Sequence, residues 1–96
     1  MIFAEMIYES EYGVLHSELL AHLLMSFKHV QSGLQGDSWI WIDDGFERVQ
    51  IDTFTAMKHQ VKSVKSGPHV QAVIDVLLNK YKLRIFEQPK REPHED

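Results

Sequence analysis

The stretch that most constrains the fold runs from Ser38 to Asp52, and its pattern is that of two β-strands joined by a tight turn. Both halves are rich in aromatic and β-branched residues, and Asp43, Asp44 and Gly45 separate them. Glycine supplies the positive φ that a tight hairpin turn needs, and aspartate tolerates the left-handed region. The sequence therefore predicts a β-hairpin here.

Strand alternation decides which face of the sheet each side chain of the hairpin occupies. Trp39 and Trp41 must share one face, because successive side chains of a strand point to opposite sides. Four apolar residues are expected to face the helices instead: Ile40, Ile42, Val49 and Ile51. Both indoles would then lie on the other face beside Arg48, and they would leave a large aromatic surface uncovered unless a loop or the tail shields it. An exposed apolar patch of more than a few hundred Å² usually marks an interface.

Two amphipathic helices supply the layer that packs against this hairpin. The first is predicted from Val14 to about Val30, and residues 31–37, which include two glycines, end it as a loop. Its apolar stripe recurs at intervals of three and four residues: Leu15, Leu19, Leu20, Leu23, Phe27 and Val30. The second helix begins at Pro68, where no amide donor is missed, and its stripe is Val70, Val73, Ile74, Leu77, Leu78 and Tyr81.

Further strands are predicted at both ends of the chain. Residues 2–8 are short and apolar, with Ile2, Ala4, Met6 and Tyr8 on one face and Phe3, Glu5 and Ile7 on the other. Residues 82–87 place Arg84 and Phe86 on the face opposite Leu83 and Ile85. Residues 54–65 fit both a strand and a helical stripe, and we favour the strand because its solvent-facing positions are then polar.

The resulting order predicts an α+β fold: a two-layer β-α-β-β-(β)-α-β plait, a ferredoxin-like variant with two helices on one face of a mostly antiparallel sheet. One domain covers residues 1–87, because 96 residues allow a single modest core. Residues 88–96 are charged and contain no apolar residue except proline, so we expect a disordered tail.

Composition argues against several function classes. The net charge of −4 does not favour binding to a nucleic-acid backbone, although Lys58, Lys62 and Lys65 form a small basic cluster. The chain has no cysteine, which excludes disulfides and thiolate zinc sites and fits a reducing, cytoplasmic setting. It also lacks the run of about 18 apolar residues that a membrane span requires. We expect no cofactor and no contact with a membrane.

Candidate catalytic residues are few. Of the six histidines, His59 is the strongest candidate, because an inward-facing imidazole needs a hydrogen-bond partner. For such a residue a structural role is commoner than a catalytic one. Asp43 and Asp44 have the spacing of a turn and match no metal-binding loop. No serine-nucleophile motif or phosphate-binding loop is present. Catalysis therefore has no positive support, and no catalytic or metal-binding residue is predicted.

Three hypotheses about function remain. The first is a non-enzymatic domain that forms a homodimer or binds a protein or peptide through the open sheet face, using Phe3, Trp39, Trp41, Arg48 and Phe86. The second is a module that binds single-stranded nucleic acid through the tryptophans and the lysine cluster. The third is a small enzyme or metal protein that uses His59 with neighbouring carboxylates. We rank them in that order.

Overall fold

The structure is a computed structural model, and it describes residues 1–92. Six strands and two helices follow one another along the chain: β1 (Ile2–Ile7), α1 (Tyr12–Leu24), β2 (Val30–Gln35), β3 (Asp37–Asp43), β4 (Arg48–Asp52), β5 (Gln60–Lys62), α2 (Pro68–Leu78) and β6 (Lys82–Lys90). The strands form one antiparallel sheet in the order β2-β3-β4-β5-β1-β6. The predicted α+β class is confirmed. The ferredoxin-like strand order is not confirmed, because the meander β3-β4-β5 lies between β2 and β1.

Both helices pack on one face of the sheet. Helix α1 lies over β2 and β3, whereas α2 lies over β4, β5 and β6. A ring nitrogen of His22 in α1 donates a hydrogen bond to the carbonyl oxygen of Val76 in α2, at 2.7 Å. One core joins the two layers, and its central members are Ala4, Met6, Leu19, Leu23, Ile40, Ile51, Val61, Val73 and Leu77. None of the helices within residues 1–92 has the length and apolar content needed to cross a bilayer.

Strand β2 is the main departure from the prediction. The sequence indicated a helix as far as Val30 and then a loop, but α1 ends at Leu24 and Val30 begins an edge strand. The apolar residues that extended the helical pattern have other roles. Phe27 packs against the core beyond the helix, and Val30 lies opposite Ile42 of β3.

Strand β1 contains an irregularity that reverses the predicted position of Phe3. Its pairing with both neighbouring strands shifts between Ile2 and Ala4. A β-bulge of this kind puts an extra residue into the strand and changes which way the side chains point. Phe3 is consequently buried in the core and lines the same pocket as Val70 and Ile74 of α2. Its predicted place on the open face is wrong.

The segment of residues 54–65 is a strand in part. Only β5, Gln60–Lys62, is regular, and turns precede it. At the end of the chain, β6 extends to Lys90, so residues 88–90 belong to the sheet and not to a disordered tail. Residues 93–96, the rest of the predicted tail, lie outside the described residues.

A buried ion pair holds the middle of the open face. Lys62 in β5 donates a hydrogen bond from Nζ to Oδ1 of Asp52 in β4, at 2.7 Å, and a second to Glu92 at 3.3 Å. The side chains of Lys62 and Asp52 are only 2% and 3% exposed. The segment after β6 therefore lies against the sheet. The charge of Lys62, at one of the polar positions predicted to face solvent, is enclosed.

We expect Lys62→Ala to lower the free energy of unfolding by about 3–5 kcal/mol, because it leaves the Asp52 carboxylate buried without its cation. Urea denaturation followed by circular dichroism measures the change. Lys65→Ala is the matched control. Its ion pair with Glu47 is exposed, and its removal should leave stability almost unchanged. Equal effects of the two variants would contradict this role for Lys62.

Candidate binding surface on the open sheet face

The β3-β4 hairpin forms as the sequence predicts. The Asp44 carboxylate accepts the backbone N–H groups of Phe46 and Glu47, at 2.8 and 2.7 Å. These two hydrogen bonds hold the pKa of Asp44 below its ordinary value. Gly45 has a φ of 94°, which explains why glycine stands in the turn.

The two tryptophans lie on the face that the helices leave open. Ile40 and Ile42 are buried in the core, and Trp39 and Trp41 alternate with them on the other side, each half-buried. The two indole rings contact each other, with their centroids 4.8 Å apart. The predicted alternation is confirmed.

Part of each indole is covered by the protein itself. Gly33 in β2 lies directly opposite Trp39, and an added Cβ on Gly33 would overlap the indole ring of Trp39. The ring therefore rests on the bare backbone of β2, a strand that sequence reasoning missed. Glycine fits at this position of the edge strand because a side chain there would displace the indole.

Arg48 covers the second indole. Its guanidinium carbon lies 4.5 Å from the ring centre of Trp41, a cation–π geometry, and its Nε donates to the Asp43 carboxylate at 2.9 Å. Within residues 1–92 the indole nitrogen of Trp41 is buried without a hydrogen-bond partner. We call Trp39, Trp41 and Arg48 the aromatic surface.

Phe86 does not join the aromatic surface. It belongs to β6 at one edge of the sheet, and three strands separate β6 from β3. Arg84 and Lys90 flank its ring, with their charged ends 5.7 and 4.3 Å from the ring centre. The intervening strands carry polar contacts, including a hydrogen bond from Gln60 to Glu5 at 3.1 Å. The five residues predicted to bind therefore separate into the aromatic surface, the distant Phe86 and the buried Phe3.

The three lysines of the predicted basic cluster have separate surroundings. Lys62 is buried in its ion pair, and Lys65 pairs with Glu47 at 2.9 Å. Lys58 lies over the Tyr8 ring at 4.3 Å and donates to the carbonyl oxygen of Ser10. Together they do not form a shared cationic surface beside the tryptophans.

A chain of polar side chains, all buried except the half-buried Tyr8, runs beneath the sheet on the helix side. Hydrogen bonds join Tyr8 Oη to His59 Nδ1 at 2.8 Å, His59 Nε2 to Ser38 Oγ at 2.7 Å, and Ser38 Oγ to His16 Nδ1 at 2.5 Å. Each hydroxyl and each neutral imidazole can give one proton and take another, so every link is satisfied. Sequence reasoning singled out His59 but missed Ser38 and His16 as its partners.

This buried chain has the residue types of a nucleophilic site but not the exposure. Ser38 and His59 are both fully buried, so the serine hydroxyl has no path to a substrate in this conformation. Burial lowers the pKa of His59 to about 4, and the nearby His16 acts in the same direction. Burial also lowers the pKa of His16. The low pKa keeps His59 neutral, as its place between two hydroxyl groups requires.

A cavity of about 560 Å³ opens near the Tyr8 end of these hydrogen-bonded side chains, but none of the four side chains lines it. Its walls come from the β1–α1 connection with the start of α1 and from two other segments: Glu9, Ser10, Glu11, Tyr12, Gly13, Leu34, Gly36, Met57 and Lys58. Within residues 1–92, no group of three or more histidine and carboxylate side chains is placed to hold a metal ion.

Comparison with known proteins gives no relative: no family model, no characterised protein and no solved structure matches this chain.

We expect Gly33→Ala to displace the Trp39 indole and to lower the free energy of unfolding by about 1–3 kcal/mol, because the new methyl group overlaps the ring. Tryptophan fluorescence reports the displacement, and urea denaturation reports the stability. Gly13→Ala is the control, since an added Cβ there meets nothing within 4 Å. An unshifted emission spectrum in Gly33→Ala would contradict the packing described.

Stability should depend on pH through His59. Between pH 6.5 and about 4 the unfolded chain carries a proton on this imidazole that the folded chain does not. His59 therefore makes the free energy of unfolding fall as the pH drops through this window, by about 3 kcal/mol, and the lowered pKa of His16 adds to the fall. Urea denaturation from pH 8 to pH 4 measures the slope.

Two variants isolate the contribution of His59. His59→Gln should make this pH dependence much less steep, whatever its effect on stability at pH 8, and the slope that remains comes from His16. His29→Gln changes an exposed histidine and should retain the slope. A slope that His59→Gln leaves unchanged would refute the assignment.

Proposed function

We propose that this protein is a non-enzymatic binding domain whose aromatic surface contacts another protein or peptide, a second copy of this chain included. The observation that carries the proposal is the stack of Trp39, Trp41 and Arg48 on the face that neither helix covers. Tryptophan and arginine are the residues most enriched among those that dominate binding energy at protein interfaces.

The geometry of the stack supports this use. Each indole is held on one side by Gly33 or by Arg48, so the rings are already ordered before a partner arrives. An ordered side chain loses less rotamer freedom on binding, and that lowers the entropic cost of association. The guanidinium keeps its ion pair with Asp43, which leaves its flat face on the indole and its edge open to an acidic or carbonyl group.

Site-specific photo-crosslinking in cells tests the proposal. A photoreactive benzoylphenylalanine in place of Gln50, which lies opposite Trp41 on the open face, should yield a heavier crosslinked protein species. Its control replaces Gln71, an exposed residue of α2 on the opposite side of the molecule, and should yield none.

Mass spectrometry of the product then identifies the partner as a second copy or as another polypeptide. A product removed by nuclease treatment would contradict the proposal in favour of the nucleic-acid hypothesis. Equal crosslinking from both positions, or none from Gln50, would also contradict it.

A further inference from the structure

The two edges of the sheet are protected to different degrees. Edge strand β6 carries lysine, arginine, glutamate and Pro89, and its pairing with β1 shifts between Ile85 and Lys90. Charges, proline and irregular pairing are the devices by which proteins prevent an edge strand from pairing with another chain. Edge strand β2 spans six residues, pairs regularly with β3, and contains neither a charged residue nor proline.

The hydrogen bonds within the sheet show which backbone groups of β2 face outward. The N–H of Asp43 donates to the carbonyl oxygen of His29, at 3.0 Å. Hydrogen-bonded pairs alternate along an antiparallel ladder, so Gln31 and Gly33 also bond inward to β3. The N–H and C=O groups of Val30, Ser32 and Leu34 therefore point away from the sheet. In residues 1–92 no side chain hydrogen-bonds to them.

This row of outward groups is complementary to itself. We propose that a second copy of this chain pairs with β2 along this edge, antiparallel, with Ser32 opposite Ser32 of the second copy. Val30 then lies opposite Leu34 of the second copy and Leu34 opposite its Val30, and each of the three pairs exchanges two N–H···O bonds. The contact is isologous, as two-fold dimers require.

Side-chain chemistry favours a second copy over an unrelated strand. The Val30–Leu34 pairs are apolar, and they lie on the helix side, where Leu34 is 45% exposed in the single chain. Pairs between Gln31 and Gly33 on the open face contain no charge, so the net charge of −4 brings no like charges together at the seam. The resulting dimer has one continuous sheet with both aromatic surfaces on the same face.

The inference goes beyond the proposed function, because it rests on backbone groups of β2 and not on the indoles. Sedimentation equilibrium of the whole protein tests it. The wild-type chain should show the mass of a dimer, and Ser32→Pro should raise the dimer dissociation constant by at least about tenfold, because it removes the central N–H donor. That N–H faces outward, so the monomer loses no hydrogen bond.

Ser32→Ala is the matched control, since it retains the N–H and should retain the dimer. A monomeric wild-type chain would overturn the inference. A dimer that Ser32→Pro leaves intact would overturn it as well, and that result would leave binding through the aromatic surface standing.

A charge pair tests the register even if the proline variant is unstable. Ser32→Lys and Ser32→Glu should each be monomeric alone, because like charges face each other across the two-fold axis, and should form a heterodimer when mixed. Leu34→Lys and Leu34→Glu are the control pair. In the proposed register each new charge lies opposite Val30 of the second copy and not opposite the other variant's charge, so the mixture should dimerise no more strongly than either variant alone. Failure of the Ser32 pair to combine would overturn the proposed register.

Discussion

The burial of Ile40 and Ile42 between β3 and the helices is the constraint from which the rest of the open face follows. Because successive side chains of a strand point to opposite faces, burying these two isoleucines makes Trp39 and Trp41 point to the open face. Other parts of the protein contact the two indoles on this uncovered face. The Trp39 ring packs on the backbone of β2 at Gly33, and the Trp41 ring packs against the flat guanidinium of Arg48.

The hairpin, the second helix and the faces of β3 and β4 could be predicted because their signals are local. Turn residues, a proline at the first helical position and a period of two or 3.6 residues are all visible within a few positions. Strand β2 could not be predicted in this way. Its composition is that of a loop, and it is a strand because β3 offers it a hydrogen-bonding edge and the Trp39 ring lies over its glycine. Tertiary contacts there override local preference.

Polar contacts between distant residues were the least predictable part of the molecule. Lys62 and Asp52 lie on the open face, in register with Gln50 and Trp39, but nothing in the sequence indicates that the two side chains meet and are enclosed by Glu92. The same holds for Ser38, which joins two histidines that lie 22 and 21 positions away in the chain. Phe3 was misplaced for a different reason, because a single bulge is enough to reverse the face on which a residue lies.

The position of β1 in the sheet has a consequence for how the chain acquires its structure. Both neighbours of β1 are made much later, and a contact such as that between Glu5 and Gln60 spans 55 positions. Contacts between residues so far apart in the sequence slow folding, since a long loop must close before the strand pairing can stabilise the protein. During synthesis β1 therefore emerges well before either of its partner strands, and its apolar residues stay unpaired until β5 and β6 have been made.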